Sequence, residues 1–331
     1  MSYQKISNKK VLVTGGAGFI GSNLCESLLQ NNNEVVCLDN FSTGRLENIE
    51  PFLAHSNFKL ITGDICELKD CETAMQGVDI VLQQAALGSV PRSINDPIKT
   101  NAVNISGFLN VLVAARNANV KRVVYAASSS TYGDSKALPK IEDVIGRPLS
   151  PYAVTKYVNE LYAHVFALNY NMDIIGLRYF NVYGKNQDPN GAYAAVIPKF
   201  TMQLMSLQSP VINGDGKNSR DFTYIENVVQ MNHLAATTTN PLAKSQVFNT
   251  AVGERADLNM LTELLKKYLF EYNSKIAEVP VLYGAERSGD IPHSLASINK
   301  AKEILGYEPS HKLNEGLKEA VNWYWNNLSK K

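Results

Sequence analysis

Cysteine is scarce in this chain of 331 residues, and its distribution excludes two classes of site. All four cysteines lie in the first quarter, none form a Cys-x-x-Cys pair, and no cluster of histidines accompanies them. We therefore expect buried free thiols in a reducing compartment rather than disulfides or zinc ligands. They are Cys25, Cys37, Cys66 and Cys71.

The chain also lacks an excess of charge and a long apolar run. Lys and Arg number 32 against 31 Asp and Glu, a net charge of +1. This balance gives no bulk attraction to nucleic acid or to an anionic membrane, so an anionic ligand needs a few placed side chains. No segment approaches the roughly 20 apolar residues of a membrane span, and the polar first ten residues do not form a signal peptide. We expect no nucleic-acid or membrane partner, no metal, and a cytoplasmic location.

Short apolar segments alternate with helical patterns along the first 180 residues. Strands that are apolar throughout and alternate with helices are typical of a parallel sheet covered on both faces. The sequence therefore predicts an α/β fold with a doubly wound, Rossmann-type parallel sheet. The predicted strands are 11–14, 35–38, 58–61, 80–82, 123–127 and 174–177.

The pattern becomes less regular after about residue 178. A loop rich in Asn, Gly, Pro and Tyr covers 186–198, and helices are expected near 258–272, 300–305 and 313–328. We expect a smaller mixed α/β domain over the ligand-binding edge of the sheet. The predicted division gives 1–180 to the dinucleotide-binding domain, with a return segment near 221–252, and 181–220 with 253–331 to the smaller domain.

Three glycines follow the first strand and indicate a dinucleotide loop. Gly15, Gly18 and Gly21 allow the turn, the approach of a pyrophosphate, and close packing of the helix, whose N-terminus faces the phosphates. Asp39 closes the second strand, where a carboxylate suits the ribose hydroxyls of NAD and repels a 2′-phosphate. Arg45 nearby weakens that preference without reversing it. A glycine-rich turn without a ligand is the alternative.

A tyrosine and a lysine one helical turn apart form the candidate catalytic group. Tyr152 and Lys156 share a helix face, and Ser128 follows a strand at the edge where ligands bind open α/β sheets. The lysine and a positive nicotinamide should lower the tyrosine pKa from about 10, so that it can take a proton from an alcohol. Helix packing for Tyr152 and backbone capping for Ser128 are the alternatives.

Seven short motifs follow one another in order over nearly the whole chain. They are TGGAGFIGS at 14–22, Asp39-Asn40, Asp64-Ile65, Ala85-Ala86, SSSTYG at 128–133, Tyr152-x-x-x-Lys156 and RYFNVYG at 178–184. Together they resemble the extended short-chain dehydrogenase/reductase family. The later part of the chain resembles the nucleotide-sugar 4-epimerases, especially those acting on UDP-N-acetylhexosamines. This resemblance implies tightly bound NAD, a UDP-sugar substrate and a place in polysaccharide biosynthesis.

The residues after Ser128 bear on the type of reaction. Dehydratases of the family carry an Asp-Glu pair there and decarboxylases a Glu, whereas this chain has Ser129, Ser130 and Thr131. Without an acid, elimination and carboxylate chemistry are disfavoured, and the resemblance implies epimerisation through a 4-keto sugar.

The resemblance also assigns cofactor and substrate contacts. Arg220 and Arg287 match pyrophosphate ligands, for which a surface salt bridge is the alternative, and Asp290 matches a uridine-ribose ligand. The cofactor residues are Gly15, Gly18, Phe19, Ile20, Gly21, Asp39, Asn40, Asp64, Ile65, Ala85, Ala86, Asn104, Tyr152, Lys156 and Tyr179. The substrate residues are Ser128, Ser129, Ser130, Asn181, Arg220, Arg287, Asp290 and Ser294.

The sugar is the finer question. Glucose/galactose 4-epimerases often carry a bulky residue at the position of Ser294, and serine leaves room for an N-acetyl group. We therefore predict interconversion of UDP-N-acetylglucosamine and UDP-N-acetylgalactosamine. A UDP-glucose/galactose or UDP-uronate 4-epimerase and a non-catalytic NAD-binding regulator stay open. Departures from the family pattern are Gln83 for His, Pro292 for Arg, Ser297 for Asp and Glu226 for Asp.

Two segments, 104–118 and 152–168, are apolar over a wide arc. One face of each can pack on the sheet, but the second needs another partner. The resemblance implies a homodimer through a four-helix bundle, and a helix beneath the smaller domain is the alternative.

Overall fold

The computed structural model describes residues 3–190, 194–286 and 292–328. Its strands are β1 (Lys10–Thr14), β2 (Glu34–Asp39), β3 (Phe58–Thr62), β4 (Ile80–Gln83), β5 (Arg122–Ser128), β6 (Ile174–Tyr179), β7 (Val182–Tyr183), β8 (Val211–Asn213), β9 (Ser219–Arg220), β10 (Thr223–Tyr224), β11 (Val247–Thr250), β12 (Ala256–Asp257) and β13 (Leu282–Gly284). Its α-helices are α1 (Phe19–Gln30), α2 (Leu68–Ala74), α3 (Val90–Asn95), α4 (Pro97–Asn101), α5 (Phe108–Asn117), α6 (Pro151–Tyr170), α7 (Val196–Met205), α8 (Ile225–Thr237), α9 (Leu258–Phe270), α10 (Asn299–Leu305) and α11 (Leu313–Leu328).

Seven of these strands form one parallel sheet in the order β11-β6-β5-β4-β1-β2-β3. The order reverses between β1 and β4, which opens a crevice at their carboxyl ends. Alternate residues of β1 enter different cores, with Val11 and Val13 on one face and Leu12 on the other. The predicted doubly wound, Rossmann-type sheet is confirmed.

The seventh strand, β11, was not predicted, although it lies inside the expected return segment. It pairs with β6, with Phe248 opposite Leu177. Two of its four residues, Asn249 and Thr250, are polar yet fully buried, so the run does not look like a strand. Asn249 is buried because it accepts a hydrogen bond from the Tyr132 hydroxyl (2.6 Å) and donates to two backbone carbonyls.

Helices cover both faces of the sheet. Helices α1 and α8 pack together on one face, and α2, α5 and α6 form a layer on the other. The smaller region contains the strand pairs β7–β10, β8–β13 and β9–β12 with α7, α9 and α11. Asp221 joins the two regions because its carboxylate accepts N–H bonds from Val252, Gly253 and Ala296. Burial raises its pKa to about 6.

All four cysteines are free, and three are buried as predicted. Cys66 is only half-buried, which corrects the prediction for that residue, because it lies on the loop between β3 and α2. Burial and the neighbouring Asp64 raise its pKa to about 11, so the thiol stays protonated. Within the described ranges, no helix is long and apolar enough to cross a membrane.

His233 on α8 should make stability depend on pH. Its Nδ1 accepts the Ile6 N–H (3.1 Å), and its Nε2 lies 2.9 Å from the Ser27 hydroxyl. Burial lowers its pKa to about 4. Between about pH 6.5 and 4 the unfolded chain therefore binds more protons, and stability falls as the pH falls.

Because of His233, we expect the free energy of unfolding of the wild type to fall by about 2 kcal/mol when the pH is lowered from 7.5 to 5. His233→Gln can still accept the Ile6 N–H but does not titrate. Urea unfolding of both proteins at the two pH values measures the difference. Equal losses in the two proteins would contradict the assignment.

Candidate active site

A cleft of about 530 Å³ lies at the carboxyl ends of β1, β2, β4, β5 and β6, where the strand order reverses. Most predicted site residues line it together. They are Gly15, Gly18, Phe19, Ile20, Gly21, Asp39, Asn40, Asp64, Ile65, Ala85, Ala86, Ser128, Ser129, Tyr152, Lys156, Tyr179 and Asn181. The sheet topology thus brings distant parts of the sequence to one cleft.

Four predicted residues do not line the cleft. Ser130 and Asn104 lie behind it and bond residues that do, and Arg220 and Ser294 lie on β9 and the segment beside it. The Arg220 guanidinium donates to the Ser219 carbonyl (3.0 Å), and the Ser294 N–H donates to the same carbonyl (3.0 Å). Arg287 and Asp290 lie outside the described residues.

The glycine loop is shaped by close approaches that exclude a side chain. Gly15 has a φ of +68°, and a Cβ there would lie 2.8 Å from the backbone nitrogen of Ala85. A Cβ on Gly21 would lie 2.1 Å from the Gly15 carbonyl oxygen. The loop therefore presents bare backbone and the N-terminus of α1, a cradle that fits a diphosphate.

The adenosine end of the cleft favours NAD over its 2′-phosphate form. Asp39 is buried and accepts N–H bonds from Ala17 (2.9 Å) and Phe41 (2.8 Å), and burial raises its pKa. Arg45 forms an ion pair with Asp188, so it is committed elsewhere. The Asp39 carboxylate would suit the ribose hydroxyls of NAD, and with Arg45 already paired an added 2′-phosphate is disfavoured.

Asp64 lies at the same end of the cleft and stays ionised. Burial alone would raise the pKa of its carboxyl, but the Cys66 N–H and the Asn40 amide donate to it, and the net effect lowers the pKa. Asp64 and Asn40 therefore form one fixed polar group beside Ile65.

Helix α6 places the tyrosine and the lysine. Ser150 caps the helix by accepting the Ala153 N–H (3.1 Å), and Pro151 occupies the first turn. Lys156 is buried, and its Nζ donates to the Ala126 carbonyl of β5 (2.9 Å) and lies 6.0 Å from the Tyr152 ring centre. Burial lowers the pKa of Lys156 to about 8.

The pKa of Tyr152 differs from the expectation. In the protein alone it is raised, because burial outweighs the hydrogen bond with Ser128. The predicted lowering depends on two positive charges, those of Lys156 and a nicotinamide. The protein therefore leaves a neutral phenol in the cleft until a cationic cofactor is present.

The Ser128 hydroxyl accepts two hydrogen bonds from Ser130, which leaves its own proton free to donate into the cleft. Its Oγ accepts the Ser130 N–H (3.1 Å) and the Ser130 hydroxyl (2.9 Å). The remaining donor can face Tyr152 or a substrate oxygen. Ser130 thus acts through Ser128.

A π-helical turn, Ala102–Gly107, supports the part of the cleft edge, here called the rim, that contains Leu87. Its Asn104 accepts the Leu87 N–H (2.8 Å) and donates to the Thr155 hydroxyl (3.1 Å). Thr155 precedes Lys156 and donates to the Tyr152 carbonyl. Asn104 therefore ties the rim to the catalytic helix, and its contact with the cofactor stays a prediction.

Sequence reasoning missed several lining residues. Gln84 directly precedes Ala85 at the end of β4, so its strand-end position was a usable signal. The others lie on loops, at strand ends or at the starts of helices, and no motif marks them as site residues. The missed residues are Leu38, Ser42, Thr43, Gly63, Gln84, Leu87, Gly88, Ser89, Val90, Val103, Ala126, Ala127, Val182 and Gln187. The described residues contain no cluster of His, Cys, Asp or Glu that could hold a metal.

The fold and the cleft define a nicotinamide-dependent enzyme of the α/β class. The family model for the NAD dependent epimerase/dehydratase family matches residues 11–251. UDP-glucose 4-epimerase of Mycolicibacterium smegmatis is 32% identical over 319 residues, covering 96% of this chain and 99% of the relative. The chain belongs to the NAD dependent epimerase/dehydratase family, is an epimerase, and uses NAD.

Two solved structures are similar over nearly the full length. UDP-N-acetylglucosamine 4-epimerase from Methanobrevibacter ruminantium M1, in complex with UDP-N-acetylmuramic acid, has a TM-score of 0.90 and 38% identity and covers 98% of this chain and 100% of its own. UDP-glucose 4-epimerase from Thermotoga maritima, with UDP-glucose, has a TM-score of 0.88 and 34% identity and covers 96% and 99%.

Gly21→Ala should release the cofactor. Its Cβ would meet the Gly15 carbonyl at 2.1 Å, so α1 must move away from the diphosphate cradle. We expect NAD affinity to fall by about a hundredfold or more, measured by calorimetry on the cofactor-free protein. Gly284→Ala, whose Cβ meets neighbours only at 3.4 Å or more, should bind normally. Unchanged affinity in Gly21→Ala would refute the cradle.

Proposed function

We propose that this enzyme interconverts UDP-N-acetylglucosamine and UDP-N-acetylgalactosamine by epimerisation at C4, with NAD kept in the cleft. One observation carries the choice of epimerisation. Of the described residues that line the cleft, the acids are Asp39 and Asp64, both at the ends of β2 and β3. None stands beside Tyr152, where elimination across C5 and C6 needs an acid and a base.

The residues around Tyr152 support a single reversible oxidation. Tyr152 takes the proton of the C4 hydroxyl, Ser128 donates to the same oxygen, and the Lys156 ammonium stabilises the phenolate. NAD, when bound, supplies the hydride acceptor and donor. Once the keto sugar has turned to present its other face, Tyr152 would return the proton to the same oxygen. Arg220, Arg287 and Asp290 are proposed to anchor the nucleotide during that rotation.

The N-acetyl group is the finer part of the proposal. The Methanobrevibacter ruminantium structure, the more similar of the two compared, is a UDP-N-acetylglucosamine 4-epimerase. Ser129 lines the cleft beside Ser128. Ser294 lies outside the cleft lining, and its proposed place near the N-acetyl group rests on the sequence resemblance and on its small size. The second candidate, UDP-glucose/galactose 4-epimerisation, is favoured by the Mycolicibacterium smegmatis relative and the Thermotoga maritima structure.

The test is separate incubation with UDP-N-acetylglucosamine, UDP-glucose and UDP-glucuronic acid, followed by chromatographic separation of the products. We expect the 4-epimer of the first, formed at least about tenfold faster than those of the other two, the worth of a few pocket contacts. Preferred turnover of UDP-glucose would establish the second candidate instead.

Tyr152→Phe in the same assay tests the mechanism. Removing the proton acceptor should lower kcat by about 100- to 10,000-fold. Tyr157→Phe, on the next turn of α6 outside the cleft, is the matched control and should keep normal activity. Comparable rates for the two variants would rule out Tyr152 as the base.

We also infer that the enzyme is a homodimer joined through α6. Val154, Leu161, Val165 and Leu168 are exposed along one edge of this helix, with a spacing of seven, four and three residues. That spacing is the apolar seam of packed helices, and Ile98 on neighbouring α4 is 83% exposed beside it. A second copy of the same seam would cover this surface, as in a four-helix bundle.

Replacing Leu161 and Leu168 together by Asp should separate the subunits. In the dimer both leucines would be buried, and the loss of this apolar contact should weaken dimer affinity by at least about a hundredfold. Sedimentation velocity over a concentration series measures it. Leu242→Asp, a control at a leucine 68% exposed elsewhere, should leave the dimer intact. A monomeric wild type would end this proposal.

A further inference from the structure

Three side chains form a closed ring of hydrogen bonds beside the cofactor cleft. The Tyr179 hydroxyl donates to Gln84 Oε1 (3.1 Å), Gln84 Nε2 donates to Asn232 Oδ1 (3.4 Å), and Asn232 Nδ2 donates to the Tyr179 oxygen (2.9 Å). Gln84 follows β4, Tyr179 ends β6, and Asn232 lies on α8. The ring therefore ties two strand ends to a helix on one face of the sheet.

A backbone carbonyl sets the direction of this ring. Asn232 Nδ2 also donates to the Val228 carbonyl (2.8 Å), and only the NH₂ side of an amide can face a carbonyl. Asn232 Oδ1 must then face Gln84, and Tyr179 must receive a hydrogen from Asn232 and pass its own to Gln84. Burial raises the pKa of Tyr179 to about 12, so the phenol keeps its proton at neutral pH.

Only two members of the ring line the cleft. Gln84 and Tyr179 face it, whereas Asn232 is fully buried on α8 and does not. One Nε2 hydrogen of Gln84 bonds Asn232. For its second hydrogen the described residues provide no acceptor, and Gln84 lies beside the Gly15 cradle, where its own backbone N–H bonds the Thr14 carbonyl.

We propose that Asn232 is a positioning residue for NAD, which holds the Gln84 amide so that its second hydrogen is presented to an oxygen of the bound cofactor. A glutamine side chain has three free torsions, and the ring removes that freedom before the cofactor arrives. Asn232 thus lengthens the time for which NAD stays bound. The need for long retention rests on the proposed epimerisation, in which NAD is regenerated in place.

The test compares Asn232→Leu with Asn227→Leu. Asn227 lies on the same helix, is equally buried and also bonds backbone groups, at Ser310 and His311, but neither of these partners lines the cleft. We expect NAD release from Asn232→Leu to be about tenfold faster than from wild type, which corresponds to the two ring hydrogen bonds that Asn232 makes with Gln84 and Tyr179. Release from Asn227→Leu should match wild type, although both variants lose stability.

A double-mutant cycle with Tyr179→Phe separates positioning from general loosening. Because Asn232 acts partly through the Tyr179 hydroxyl, Asn232→Leu should accelerate release much less when Tyr179→Phe is already present. Equal release from the two Asn→Leu variants, or full additivity with Tyr179→Phe, would overturn the proposal. If Asn232→Leu does not fold, Asn232→Ser against Asn227→Ser gives the same comparison.

Release is measured by chasing bound NADH fluorescence with excess NAD, without any sugar nucleotide. The result therefore does not depend on which sugar the enzyme takes. If the wild type is inactive on every UDP-sugar but Asn232→Leu still accelerates NADH release, the proposed function is refuted and the positioning role of Asn232 stands.

Discussion

The close contact of α1 with the end of β1 is the constraint on which the cleft depends. With no room for a Cβ at Gly21 or Gly15, the helix N-terminus lies against the turn, and the turn lies against Ala85 at the end of β4. Three elements that are distant in sequence are thus fixed to one another by backbone contact. The diphosphate cradle and the position of Gln84 beside it follow from this packing.

The second constraint is electrostatic. Lys156 is buried, and within the described ranges its Nζ has a carbonyl partner but no carboxylate, which is why its pKa falls to about 8. Such a charge is costly to bury in the protein alone and is useful beside a developing phenolate. Burial also disfavours the negative phenolate form of Tyr152, whose pKa is raised. Because the Lys156 ammonium lies 6.0 Å from the Tyr152 ring centre, its charge can stabilise a phenolate that forms there.

Local patterns predicted the parts of the fold that local physics determines. The apolar runs gave six sheet strands nearly to the residue, and the glycine spacing gave the cradle, because both depend on neighbours in sequence. Strand β11 was missed because Asn249 and Thr250 are polar. The burial of Asn249 is explained by Tyr132 and Lys140, more than a hundred residues away, whereas the buried Thr250 hydroxyl has no hydrogen-bond partner among the described residues.

The same limit applies at the site. The catalytic residues could be predicted because they lie at a strand end and at the start of a helix. The pairing of Gln84 with Asn232 could not, because the two residues are about 150 positions apart in sequence and meet only in the fold. Ser130 was predicted to touch the substrate, yet its hydroxyl is turned onto Ser128. The sequence shows which side chains can donate a hydrogen bond, but the acceptor of each bond is known only from the fold.

Two buried asparagines hold the cleft from opposite faces of the sheet. Asn104, on the α5–α6 side, binds the Leu87 rim to the catalytic helix through Thr155. Asn232, on the α1–α8 side, closes the ring with Gln84 and Tyr179. An amide suits both places because it donates and accepts at once and carries no charge to bury. The proposed epimerisation needs a cofactor that does not leave while the sugar turns, and rigid neutral supports would meet that need without adding charge beside Tyr152 and Lys156.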